Sequence, residues 1–182
     1  MLRYIAFLRA INVGGHTVKM EHLRRLFESL GFSNVETFIA SGNVIFEASD
    51  TDAHTLEQQI ERHLQHSLGY AVATFLRTAA ELAAIAHYQP FPISELDAAR
   101  NGLYIAFLPA PPPDEAQQKL MAFRTELDDF HIHGREIYWL CRTKISLSAF
   151  SGALLEKTIG MPATMRNATT VRKLATKYGT PH

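Results

Sequence analysis

A single cysteine, Cys141, stands in 182 residues. That excludes an intrachain disulfide, a thiol-rich metal site and a C-x-x-C redox pair, and it fits a reducing, cytoplasmic setting. No stretch reaches the ~18 apolar residues that would span a bilayer, so no membrane partner is expected. The apolar opening from Met1 to Val13 is interrupted by Arg3 and Arg9, which denies it a signal-peptide core. Neither G-x-x-x-x-G-K-[ST] nor G-x-G-x-x-G occurs, so the common nucleotide cradles are absent. No cofactor is named by any motif.

Net charge is also missing: 18 Lys and Arg balance 18 Asp and Glu. The balance hides a gradient, because residues 47–141 carry 6 basic against 14 acidic residues, while 142–182 carry 7 against 1. An acidic body with a basic final segment fits intramolecular complementarity or an anion site better than adhesion to a nucleic acid. With 47% hydrophobic residues the chain can bury a proper core, in one domain or two small ones.

The apolar pattern then orders the elements. Leu2 to Leu8 is nearly continuous in apolar character and reads as a central strand. Met20, Leu23, Leu26, Phe27 and Leu30 recur at helical spacing, with Gly31 as the stop. Val35 to Ala40, a Ser41-Gly42 turn and Asn43 to Phe46 read as a hairpin. Leu56, Ile60, Leu64 and Leu68 form one helical stripe, with Glu57, Glu61 and Arg62 on the opposite side, and Ala71 to Leu76 reads as a fourth strand. The order β-α-β-β-α-β is the ferredoxin-like pattern, so the fold class is α+β.

Residues 78–182 read as a second, looser α/β half, following a first subdomain at 1–77. It has a helix near Thr78 to His87, a connector through Gln89 to Asn101, and a strand at Leu103 to Leu108. An amphipathic helix follows Pro113, a second hairpin turns at Gly134-Arg135, and helices at Ala153 to Ile159 and Thr169 to Tyr178 close the chain. A structural duplication shows in outline, without a solenoid repeat.

Ferredoxin-like wiring sends the loop after the first strand and the middle hairpin to the same end of the sheet. It thereby brings together Arg9, Asn12, Gly14 and Gly15 with Ser41, Gly42 and Asn43. Glycine lets backbone N–H groups approach a phosphate or carboxylate, with Arg9 as a charge-assisted partner. The same glycines also serve as tight bends, and Ser41-Gly42-Asn43 as a hairpin turn. Arg166 and Asn167 precede the last helix, where a cap and a cation would attract an anion. A small anionic ligand, held by these nine residues around one rim of the first sheet, is the partner they imply. His63 with His66, and His131 with His133, form pairs without a third ligand at fixed spacing, so no metal site is expected. Cys141 reads as a small buried hydrophobe.

Tyr4-Ile5-Ala6-Phe7-Leu8-Arg9-Ala10-Ile11-Asn12-Val13-Gly14-Gly15, then Ser41-Gly42-Asn43-Val44-Ile45-Phe46, then Arg166-Asn167 with Thr170-Val171 and Lys173-Leu174, closely resemble the bacterial family called domain of unknown function 1697. The resemblance implies an α+β fold of ferredoxin-like halves and carries no assigned activity, enzymatic or otherwise. Two departures from the family pattern stand out. Lys144 to Phe150, with Ala149, replaces a Gly-rich stretch ending in Ser-Lys-Leu, and Ala168 replaces a tryptophan.

Ferredoxin-like sheets also serve as nucleic-acid platforms, but the RNA-binding signature is missing here. A structural or protein-interaction role, in which exposed sheet edges or the basic tail meet another subunit, is the third reading, and oligomeric state is not legible.

Overall fold

A computed structural model describes residues 1–12, 15–39, 42–49 and 51–180. Among them the chain forms eight strands and seven helices in two compact units. The first unit takes residues 1–84 together with the described residues from Lys173 onward, and the second takes Ile85–Arg172.

In the first unit β1 (Leu2–Leu8), β2 (Ser33–Thr37), β3 (Asn43–Ala48) and β4 (Thr74–Thr78) make an antiparallel sheet in the order β2-β3-β1-β4. Helices α1 (Met20–Glu28) and α2 (Ala53–Leu68) supply the connections. This is the ferredoxin-like order that the sequence implies. Alternation along β1 decides the core: Tyr4, Ala6 and Leu8 pack with Leu23 and Phe27 of α1 and with Leu56, Ile60 and Leu64 of α2. Ile5 and Phe7, on the opposite face, are fully buried as well, which accounts for the unbroken apolar run of this strand. Asp52 starts α2 by accepting from the Thr55 amide at 3.0 Å, and Gly69 ends it in the left-handed conformation.

Two carboxylates of α2 depart from expectation. Glu57 and Glu61 read as solvent-facing, yet Glu57 is buried, and its Oε1 accepts the Leu76 amide at 3.1 Å. Glu61 Oε1 accepts the Thr74 amide at 3.0 Å. These amides point out of the outer edge of β4, and the helix satisfies them where a fifth strand would otherwise pair.

The second unit repeats the plan. Strands β5 (Gly102–Phe107), β6 (Asp128–His133), β7 (Glu136–Cys141) and β8 (Thr164–Asn167) pair in the order β6-β7-β5-β8. Helices α5 (Asp114–Met121) and α6 (Gly152–Ile159) connect them. Helix α3 (Ala79–His87) leads out of the first unit, α4 (Ile93–Leu96) is a single turn, and α7 (Ala168–Tyr178) leads back. The four-residue β8 closes the second sheet against β5, which gives the second unit the same strand order as the first. The duplication also survives in sequence, since Tyr4-Ile5-Ala6-Phe7-Leu8 of β1 recurs as Tyr104-Ile105-Ala106-Phe107-Leu108 at β5. Arg77 on β4 stands opposite Ile5, and Arg166 on β8 stands opposite Ile105.

Candidate functional site

The loop after β1 and the β2–β3 connection meet at one end of the first sheet, as the wiring requires. Leu8 N–H donates to the Gly42 carbonyl at 2.9 Å, and Arg9 N–H donates to the Ala73 carbonyl at 2.9 Å. Gly42 has a φ of +85°, and a Cβ built there would lie 2.9 Å from Ile11 Cγ2 and 3.2 Å from Leu8 Cβ. Only glycine fits that close approach. The pairing of β2 with β3 closes at Phe38, whose N–H donates to the Asn43 carbonyl at 3.0 Å.

Seven of the nine residues singled out from sequence have a described place. Arg9 is exposed on the rim. Asn12 is exposed, and its Oδ1 accepts the Val18 amide at 2.9 Å, folding the loop back on itself. Gly15 takes a φ of +84° in open space. Asn43 is fully buried and donates through Nδ2 to the Phe38 carbonyl at 3.0 Å, so its amide holds the hairpin. Gly14 and Ser41 lie outside the described residues. Arg166 and Asn167 belong to the second unit. There Arg166 Nη1 donates to Thr164 Oγ1 at 2.8 Å and to the Met165 carbonyl at 2.9 Å, and burial lowers the guanidinium pKa to about 10. Asn167 Oδ1 accepts the Thr169 amide at 2.8 Å at the start of α7.

Sequence reasoning missed four members of the rim. Tyr70 donates from its hydroxyl to the Ile11 carbonyl at 2.9 Å, and burial pushes its pKa up. Its ring stacks on His16 with centroids 3.8 Å apart. Ala10 and Ile39 sit at φ of +53° and +57°, a left-handed conformation that costs a β-branched residue most. Neither strain nor a stack between residues 54 positions apart leaves a local signal in composition.

Three of the four paired histidines have contacts of their own. His63 Nε2 is 2.8 Å from Ser29 Oγ, which links α2 to the end of α1. His131 Nε2 is 2.7 Å from the Tyr88 hydroxyl, and the His133 ring stacks on Tyr88 at 4.0 Å. Among the described residues no group of three or more His, Cys, Asp or Glu is arranged to hold a metal ion. Cys141 is fully buried, and burial raises its thiol pKa.

In the second unit the departing segment 144–150 is anchored rather than open. Ile145–Leu147 forms a 3-10 turn. Ser148 Oγ then donates to the Asp128 carboxylate at 2.8 Å, and Trp139 Nε1 donates to Asp128 Oδ1 at 2.8 Å. Phe150 N–H donates to Ser148 Oγ at 3.0 Å. The ring of Phe150 packs 4.6 Å from Phe130 and 5.3 Å from Trp139.

Two ferredoxin-like units of identical strand order, built from one repeated strand motif, define an α+β protein of duplicated architecture. The family model described as protein of unknown function, DUF1697, matches residues 1–138, and the chain belongs to that family. A solved structure, that of the conserved bacterial protein SP0830 from Streptococcus pneumoniae, is similar at 24% identity, with a TM-score of 0.76 and 99% of each chain covered. That likeness concerns the fold. No curated protein matches. Among the described residues no helix is long and apolar enough to cross a membrane.

Proposed function

We propose that the rim at the C-terminal end of β1 binds a small ligand bearing a phosphate or carboxylate. Arg9 supplies the charge-assisted contact, and backbone amides of the loop supply neutral donors. The observation that carries this reading is the close seat of Gly42 against Leu8 and Ile11, which joins two polar, glycine-bearing segments at one edge. Left-handed Ala10 and Ile39, one in each segment, support it, because strained backbone concentrates at binding sites. Asn12 and Asn43 serve the site by fixing its loops, since both amides are engaged with backbone. Arg166 and Asn167 have local partners in the second unit, so the proposal rests on the first unit alone. A cytosolic setting fits, as the lone buried thiol needs no oxidising compartment.

Titration calorimetry of the full chain with inorganic phosphate, nucleotides and phosphorylated metabolites tests the reading. Heat that Arg9→Ala removes supports it, and absence of heat across the panel overturns it.

Nucleic-acid binding by base stacking is not favoured. Tyr4, Phe7, Phe46 and Phe75 on the first sheet, and Phe107, Phe130, Tyr138 and Trp139 on the second, are all buried. A protein-interaction role has one observation of its own. Phe123, Leu127, Ile145 and Leu147 are 39%, 46%, 44% and 69% exposed in the second unit. An apparent molar mass from light scattering that rises with concentration, and stays at the monomer value in Leu147→Ser, would support that role.

A further inference from the structure

Arg3, the second residue of β1, stands opposite Glu47, so about 20 Å of strand separates it from the Arg9 rim. Beside this pair a cavity of about 400 Å³ opens within the first unit, between the edge strand β2 and the last turn of α7, with Ile45 in its lining. Charges of both signs line it. Arg3 Nη2 lies 3.5 Å from Glu47 Oε1, and Asn34 Nδ2 donates to Glu47 Oε2 at 2.9 Å. The Tyr178 hydroxyl is hydrogen-bonded to the exposed Glu36. The Lys177 ammonium stands 5.7 Å above the Phe38 ring centroid and 5.2 Å above that of Tyr178. A second cavity of about 430 Å³ shares Arg3 and Glu47 and is otherwise lined mainly by Met1, Leu2, Ala79 and Ala80.

We infer that this face binds a small zwitterion with an apolar side chain, that is, an α-amino acid. Its carboxylate meets Lys177, its ammonium meets Glu36, and its side chain lies against Ile45 in the same lining. The volume lies within the range of small-molecule sites. Two carboxylates beside two cations discriminate against a plain anion, which Glu36 and Glu47 would repel. Aromatic rings beneath Lys177 exclude water from one side of the ammonium, which strengthens its bond to a carboxylate. The inference is independent of the Arg9 rim, which lies at the other end of β1.

The test is an NMR titration of the isotope-labelled full chain with L-leucine, N-acetyl-L-leucine, L-leucinamide and inorganic phosphate, following the amides of Glu36, Glu47, Lys177 and Tyr178. Leucine is expected to shift these amides saturably. Each blocked analogue lacks one charge and should bind at least about tenfold more weakly, and Lys177→Met should weaken leucine to a similar degree. Lys177 is exposed, so the variant keeps its fold. If leucine moves none of these amides, if the blocked analogues bind as well as leucine, or if phosphate moves the same amides as strongly, the inference fails.

Discussion

The amide of Leu8 donates to the carbonyl of Gly42 at 2.9 Å, and in the second unit the amide of Leu108 makes the corresponding bond to Arg135 at 2.9 Å. In each unit this bond joins the end of the first strand to the turn of the hairpin. It recurs because the two units share one strand order and one motif, Tyr-Ile-Ala-Phe-Leu.

Gly42→Ala therefore acts on both backbone and packing. A methyl group at φ +85° would press on Ile11 Cγ2 at 2.9 Å, whereas at Gly15, with a φ of +84°, it would meet nothing within 4 Å. Urea unfolding should show a loss of about 2–4 kcal/mol for Gly42→Ala, against about 1 kcal/mol for Gly15→Ala. Equal losses would mean that the close approach to Ile11 contributes nothing.

Asp128 joins Trp139 to Ser148 in a network whose carboxylate and indole are buried. Asp128→Ala leaves the indole N–H and the serine hydroxyl without their acceptor, and should cost about 3 kcal/mol. Ser148→Ala removes one arm of the network and should cost about 1–2 kcal/mol. The two losses should not add in the double variant, because they share one carboxylate.

The pH profile carries two separate signatures. Burial, and to a lesser degree His133, lowers the His131 pKa from 6.5, with Asp129 opposing; the rings of Tyr88 and Phe91 stand beside it, and Tyr138 is its cross-strand partner. As pH falls through 6.5 the unfolded chain takes a proton that the folded chain resists, so stability drops on the acid side. His131→Gln should flatten that limb in melting curves between pH 7 and 5. Tyr178 behaves oppositely, because burial and the bond to Glu36 raise its pKa to about 12, with Arg3 opposing. Its contribution is whole below pH 10 and is lost as pH rises from 10 toward 12. Tyr178→Phe should make that limb shallower.

The pattern of apolar residues sufficed for β1, for both amphipathic helices of the first unit and for the ferredoxin-like order, because periodicity and glycine stops report local backbone preference. Thr164–Asn167 escaped it. Four residues, two of them polar and one charged, carry too little alternation, and β8 exists because β5 needs an edge partner. Arg77 escaped for a related reason: a charge in an edge strand reads as solvent-facing, yet this one is 1% exposed and its Nη1 donates to the Leu76 carbonyl at 2.8 Å. The meeting of Gly42 with Leu8 and Ile11 was legible because topology alone dictates which loops share an end. The stack of His16 on Tyr70 was not, since only folding brings those rings together. Nor was the charged cavity around Arg3 and Lys177, whose walls come from both ends of the chain.

The Arg9 rim is tested most directly by an NMR titration of the full chain with inorganic phosphate, read at the amides of Arg9, Asn12, Gly15 and Gly42 and repeated with Arg9→Ala. The expected result is a saturable shift of these amides that the substitution weakens about tenfold, with the spectrum elsewhere unchanged. Amides that stay still at saturating phosphate, or that shift equally in Arg9→Ala, would contradict the account.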